Sequence, residues 1–215
     1  MWIKVCGLTS VENALQVAAF QPDAIGLNFY SRSSRRVDLS TAGEIAAALP
    51  KTIEPIGLFV NHSTSEILEA ANCCGLKTVQ LHGDESPEFA SSLKGLQVVR
   101  AIRVNEETID DLENEVHQYL ERDVNVRAFL VDARVSGAYG GTGHSVPWEL
   151  VASRYNFEDW PPLILAGGLG VDNIQSAIEA VRPWGVDVAS GVESSSGVKS
   201  PSLVEKFVLK ARHQH

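Results

Sequence analysis

Short apolar runs rich in β-branched residues alternate with longer stretches of helical period along the whole chain, eight times over. The strand-like runs cover residues 2–6, 24–28, 55–60, 78–81, 97–102, 127–131, 163–166 and 186–190. Most are nearly continuous in Val, Ile, Leu and Phe, the pattern of parallel strands buried on both faces. The stretches between them carry helix punctuation. Thr9 and Glu12, Thr41 and Glu44, Ser63 and Glu66, and Ser202 and Glu205 all have capping-box spacing. Ser86 followed by Pro87 suits an N-cap and first helical position, and Gly75 and Gly95 stand where helices should stop.

Eight strand-helix units in this length reach the lower size bound of a closed barrel of parallel strands. The rival is an open doubly wound sheet, which would want a glycine-rich dinucleotide turn after its first strand. The chain has Cys6-Gly7-Leu8-Thr9-Ser10 there instead. No linker, low-complexity tract or compositional break divides the sequence. It therefore predicts an α/β protein with one domain over residues 1–215, a single-domain (β/α)8 TIM barrel.

Composition narrows the partners. Of 215 residues 44% are hydrophobic, enough for a substantial core without disulfides. Lys and Arg number 18 against 27 Asp and Glu, and the net charge of -9 would repel a nucleic acid. Cys6, Cys73 and Cys74 are an odd count with a vicinal pair, which points to a reducing compartment and a cytoplasmic protein. No apolar run reaches transmembrane length and no basic start leads into one, so no membrane is expected. The six histidines show no ligand spacing, which argues against a metal.

In such a barrel the chemistry gathers at the carboxyl ends of the strands. Cys6, Asn28, Asn61 and His82 close the first four, and Asp132 follows the sixth. Gly167 and Gly168 close the seventh, and Ser190 and Gly191 the eighth. Glycine turns at these two places, with the N-terminus of a short extra helix, are the usual barrel site for a phosphate. Arg35, on the loop after the second strand, is either a solvated side chain or a bidentate clamp for a carboxylate. Cys6 shares side-chain parity with Lys4 and Trp2, so all three point inward if the strand is regular, and an inward lysine is reasonable if it helps hold an anionic substrate or a thiolate. Cys73 and Cys74 read as small hydrophobes at a helix end. Asp132 and, inside the eighth strand, Asp187 are the candidate acids. The glycine-rich loop at 133–144 is a candidate cover for the site and lacks the Walker pattern.

Taken together, these residues resemble the phosphoribosylanthranilate isomerases of tryptophan biosynthesis. The matching stretches are Lys4-Val5-Cys6-Gly7-Leu8-Thr9, Ser33-Ser34-Arg35-Arg36-Val37, Gly57-Leu58-Phe59-Val60-Asn61 and Val79-Gln80-Leu81-His82-Gly83-Asp84-Glu85. Further along come Gly140-Gly141-Thr142-Gly143, Leu165-Ala166-Gly167-Gly168-Leu169, the stretch from Gly185 to Glu193, and Gly197-Val198-Lys199. The resemblance implies a cofactor-free barrel that converts N-(5-phosphoribosyl)anthranilate to 1-(2-carboxyphenylamino)-1-deoxyribulose 5-phosphate by an Amadori rearrangement. It implies Cys6 as general base, Asp132 as general acid and Arg35 as ligand of the anthranilate carboxylate. It also implies His82 and the turns at Gly167, Gly168, Ser190 and Gly191 as substrate-binding, the turns holding the phosphate. The partner is thus a phosphorylated small molecule with an aromatic carboxylate; oligomeric state is left open. Two positions depart from the family, Ser34 where Pro is frequent and Ser200 where Asp is. The alternatives are the related isomerase barrel of histidine biosynthesis, which should want a second phosphate turn after the third strand, and a non-catalytic barrel acting as a binding protein. Retention of Cys6, Asp132 and Arg35 together speaks against the latter.

Overall fold

The first and last long strands meet. In the computed structural model, which describes residues 1–105, 107–133 and 148–213, β1 (Trp2–Cys6) pairs in parallel with both β2 (Ala24–Asn28) and β8 (Gly185–Val188). Between them run β3 (Glu54–Phe59), β4 (Thr78–Leu81), β5 (Gln97–Val104), β6 (Val126–Ala133) and β7 (Leu163–Leu165), each parallel to its neighbours, so the sheet closes into an eight-stranded barrel. The helices are α1 (Val11–Ala18), α2 (Leu39–Ala48), α3 (Thr64–Cys74), α4 (Pro87–Ser91), α5 (Leu112–Leu120), α6 (Trp148–Arg154), α7 (Ile174–Val181) and α8 (Pro201–Arg212). None of them is long and apolar enough to cross a membrane, among the described residues.

All eight expected strands are present, with ends that differ by one or two residues. The sixth reaches Ala133 because the fifth continues to Val104 and pairs with it, so Asp132 lies inside the strand, opposite Arg103. The eighth stops at Val188, two residues early. After a turn at 190–192 the chain forms an unexpected antiparallel hairpin, β9 (Glu193–Ser195) with β10 (Val198–Lys199), before α8.

Of the four capping-box spacings, only Ser63 and Glu66 make the reciprocal pair. Thr9 instead donates to the Gly197 carbonyl, leaving Ser10 to cap α1, and Asp38 caps α2 by accepting from the Thr41 N–H. Helix α8 starts on Pro201 after Ser200. Ser86 caps α4 ahead of Pro87, and Gly75 ends α3 with φ 63°, as expected.

Strand parity sorts the core into two layers. Outward side chains such as Ile3, Val5, Leu27, Val79 and Val131 meet the helices. Inward ones, Val99, Ala101, Ala128, Leu130, Ile164 and Ala166, fill the barrel together with Trp2. Near the amino ends of the strands Arg127, Glu54 and Thr78 bond to one another, while Cys6, Leu58 and Val60 form a separate apolar group near the carboxyl ends. The barrel is thus a packed core that also takes in the buried polar side chains of Lys4, Gln80 and Asp187.

Phe59 illustrates the packing. It is 1% exposed, stacks on Phe29 at 4.9 Å between ring centroids, and fits because Gly57 has no Cβ to strike its ring. Phe59→Ala should cost about 3–5 kcal/mol, whereas Leu209→Ala, exposed on α8, should stay within about 0.5 kcal/mol. Urea denaturation of both variants checks this.

Candidate active site

A cavity of about 370 Å³ opens among the carboxyl ends of the strands, and Cys6, Arg35, His82, Asp132, Gly167, Gly168 and Ser190 all line it. Gly191 lies beside it, in an adjoining groove that shares Gly168 and Ser190. Asn28 also lines the cavity, but its side chain shapes the β2 loop by bonding Ser33 Oγ and the Tyr30 N–H. Asn61 does not line it; its amide bonds Asp84 instead.

Cys6 sits above a buried ion pair. Lys4 and Asp187 are register partners across the β1–β8 seam, and Lys4 Nζ lies 2.5 Å from Asp187 Oδ2. Burial works against the Lys4 ammonium, but the charges of Asp187 and the Cys6 sulfur outweigh it and hold its pKa above the ordinary lysine range. The sulfur has room because its partner on β2 is Gly26, where a Cβ would come within 2.5 Å of Cys6 Sγ. Burial pushes the Cys6 thiol up, and Lys4 only partly offsets it because Asp187 pulls the other way. Lys4 does favour the thiolate, as expected of an inward lysine, but burial, with Asp187 behind it, outweighs that pull.

Across the cavity, His82 Nε2 lies 3.1 Å from Asp132 Oδ2, within ion-pair range but off hydrogen-bond geometry. Gln80 Nε2 is 2.8 Å from His82 Nδ1. An amide nitrogen only donates, so Nδ1 accepts and a neutral ring carries its proton on Nε2, toward Asp132. Gln80 Oε1 and Asp187 Oδ1 are buried without a hydrogen-bond partner among the described residues, and both residues line the cavity. They are acceptors available to the hydroxyls of a ligand.

Arg35 is not a solvated loop residue. Its Nε and Nη2 donate to the two carboxylate oxygens of Glu193, each at 2.7 Å, and it passes close over Gly7, where a Cβ would lie 2.6 Å from Arg35 Cδ. The edge formed by Nε and Nη2 is thus occupied by Glu193, leaving the Nη1–Nη2 edge for a ligand carboxylate. Lys199 Nζ also donates to Glu193 Oε1 at 2.7 Å and to the Ala189 carbonyl at 3.0 Å. Burial works against the Glu193 carboxylate, but the bonds from Arg35 and Lys199 outweigh it and hold its pKa below the usual range.

The glycine turns have steric reasons. Gly167 and Gly168 adopt φ of 85° and 67°, a region side chains disfavour. A Cβ on Gly191 would stand 1.9 Å from the Leu169 carbonyl oxygen, so only glycine lets the loops after β7 and β8 lie against each other. Asn173 fixes the first turn, accepting from the Gly170 N–H and donating to the Gly168 carbonyl. The proposed cover, with Gly137, the Gly140–Gly143 stretch and His144, falls at 134–147, outside the described residues. Among those described, no three His, Cys, Asp or Glu side chains converge as metal ligands.

Sequence reasoning gave no site role to Gln80, Glu193 or Lys199. Parity with His82 marks Gln80 as inward, whereas nothing local joins Glu193 to an arginine 158 positions away.

A thiol, a carboxylate and glycine turns gathered at the carboxyl end of a closed parallel barrel define a (β/α)8-barrel enzyme. The family model described as N-(5'phosphoribosyl)anthranilate (PRA) isomerase matches residues 3–210, and the chain belongs to that family. It is 42% identical to the N-(5'-phosphoribosyl)anthranilate isomerase of Rubrobacter xylanophilus over 98% of each chain. It is similar to the solved phosphoribosyl anthranilate isomerase of Thermotoga maritima, with 34% identity and a TM-score of 0.85 over 99% of this chain and 98% of that one. A second solved isomerase, in complex with reduced 1-(o-carboxyphenylamino)-1-deoxyribulose 5-phosphate, matches at 32% identity and a TM-score of 0.82, over 99% of this chain and 98% of that one.

The raised Cys6 thiol has a measurable sign. Its thiolate fraction, and so its alkylation rate, should grow only as pH rises through a value above about 8.5, the free-cysteine figure. Iodoacetamide labelling of Cys6 followed by mass spectrometry tests this, and a midpoint below the free-cysteine figure would mean that Lys4 dominates.

Proposed function

We propose that this protein acts in tryptophan biosynthesis as a single-domain, cofactor-free phosphoribosylanthranilate isomerase. The observation that carries the reading is the meeting of Cys6, Asp132, Arg35 and the Gly167–Gly168 turn around one cavity in a chain of this family. The backbone N–H groups of the turns at Gly167, Gly168, Ser190 and Gly191 take the phosphate, and Arg35 Nη1 takes the anthranilate carboxylate. Leu58, Val60 and Tyr30 offer the aromatic ring an apolar wall beside Cys6. The ribose then lies between Cys6 and Asp132, within reach of His82.

The chemistry follows from that placement. Asp132 protonates the ribose ring oxygen and the ring opens to an iminium; Cys6 removes the C2 proton to give an enolamine that tautomerises to the ketone. The ring oxygen and C1 each gain a proton while C2 and its hydroxyl each lose one. The count balances, and the reaction needs no oxidant or reductant. His82 stands beside the acid, its Nε2 3.1 Å from Asp132 Oδ2.

The histidine-pathway alternative fits less well. After β3 the Asn61 N–H is bonded to Glu85 and Ser63 is committed to capping α3, so the donors for a second phosphate are taken. Three free cysteines support work in the cytoplasm.

The test is a coupled fluorescence assay that follows loss of phosphoribosylanthranilate made in situ. Cys6→Ala and Asp132→Asn should each lower kcat by roughly 10²-fold or more with KM changed much less. More than about a tenth of wild-type kcat in either variant would contradict its assigned role. Arg35→Met should lower kcat/KM by about 10-fold to 150-fold, while inhibition by inorganic phosphate stays near the wild-type value.

A further inference from the structure

The Arg35–Glu193–Lys199 cluster is more elaborate than an arginine needs in order to meet a ligand. Glu193 is 158 positions from Arg35 in sequence, its side chain is 7% exposed, and both of its oxygens are committed to Arg35. Lys199, whose side chain is fully buried, adds a third bond. The hairpin that carries Glu193 and Lys199 is itself tied down. Asn13 on α1 accepts from the Lys199 N–H and donates to the Lys199 carbonyl, at 2.8 and 2.9 Å. Thr9 donates to the Gly197 carbonyl, and Ser196 Oγ meets Ser34 Oγ on the β2 loop at 2.8 Å. The segments after β1 and β2 thus hold the hairpin in place, and Arg35 and Lys199 meet on its one carboxylate.

We propose that Glu193 is the positioning residue of the carboxylate anchor: it grips Arg35 by Nε and one N–H of Nη2, so that the cavity is offered a single fixed donor edge, Nη1 with the remaining N–H of Nη2. Arginine is long and flexible, and its binding energy is wasted if it must be ordered anew for each ligand. Here that ordering is done in advance by the protein. A ligand carboxylate does not replace Glu193, because expelling it would leave a buried carboxylate unpaired or draw it away from two cations at once. The ligand instead binds an arginine already oriented, and the cluster's two cations against one anion leave a surplus positive charge at the mouth of an acidic protein. Glu193 touches no reacting atom and acts through Arg35.

This inference rests on Arg35 being the carboxylate ligand, and the test separates the two. Steady-state kinetics are measured for Glu193→Gln, for Arg35→Met and for the double variant, with inorganic phosphate inhibition as a control on the rest of the cavity. Glu193→Gln should raise KM about 10-fold with kcat within about threefold, and leave the phosphate inhibition constant within about twofold. In the Arg35→Met background the same change should add less than about twofold, since the residue through which it acts is gone. Should the Gln variant not fold, Glu193→Asp, which keeps the charge but is too short to reach both nitrogens, should show the same rise in KM. An unchanged or lowered KM in Glu193→Gln, or an equal rise on the Arg35→Met background, would overturn the proposal. An unchanged KM in Arg35→Met would overturn the carboxylate reading and this one with it; a raised KM there beside a wild-type KM in Glu193→Gln would overturn this one alone.

Discussion

A lysine that points into a barrel must be paired, and the pairing of Lys4 with Asp187 organises what stands above it. The two are direct neighbours across the seam where the first strand meets the last, so the charge pair and the closure of the sheet are one feature. Such a pair adds little net stability, because the Coulombic gain is set against the loss of hydration; removing one partner costs roughly 3–5 kcal/mol by stranding the other. What it provides is placement. It fixes two charges directly beneath Cys6, sets the balance of fields on the thiol, and leaves one carboxylate oxygen unsatisfied at the cavity wall.

The eight strands are legible in the sequence because parallel strands buried on both faces leave continuous apolar runs, and the glycine and serine punctuation marks the crossings. The candidate site was legible wherever parity or strand ends decided it: Lys4 and Cys6 alternate inward, and His82 follows the end of its strand, whereas Asp132 turned out to lie inside a longer one. Three of the four capping boxes were not real, since a spacing rule cannot see that Thr9 is already bonded to Gly197 on the far side of the chain. The hairpin at Glu193–Ser195 and Val198–Lys199 was missed because two- and three-residue strands of mixed polarity carry no period. For the same reason Arg35 could be placed on its loop but not matched with Glu193, a contact created only when the barrel closes.

Charge distribution reconciles the acidic chain with an anionic ligand. The long-range field of a -9 protein is unfavourable, but it is screened over about 8–10 Å at ordinary salt, whereas donors within a low-dielectric cavity are screened much less. The cavity wall bears this out in its layout: Lys4 is cancelled by Asp187, while Arg35 and Lys199 share one carboxylate. Acidic residues elsewhere on the surface are therefore compatible with a locally positive mouth.

The raised Cys6 thiol bears on the order of events in the proposed reaction. Burial disfavours the Cys6 thiolate, the form that a base needs. Ring opening changes the local charge: protonation of the ring oxygen by Asp132 leaves a cationic imine on the ligand, one bond from the carbon that Cys6 must deprotonate. A positive charge within about 4–6 Å favours a thiolate by the same physics through which Lys4 already acts on Cys6 against burial. The imine also acidifies the C2 proton, so the base is strengthened and its task eased at the same moment. A resting thiolate next to an unopened sugar would gain nothing and would be open to oxidation. In the proposed reaction the acid step therefore comes before the base step: once Asp132 has given up its proton, its carboxylate can take the thiol's, and the thiolate so formed can take the C2 proton.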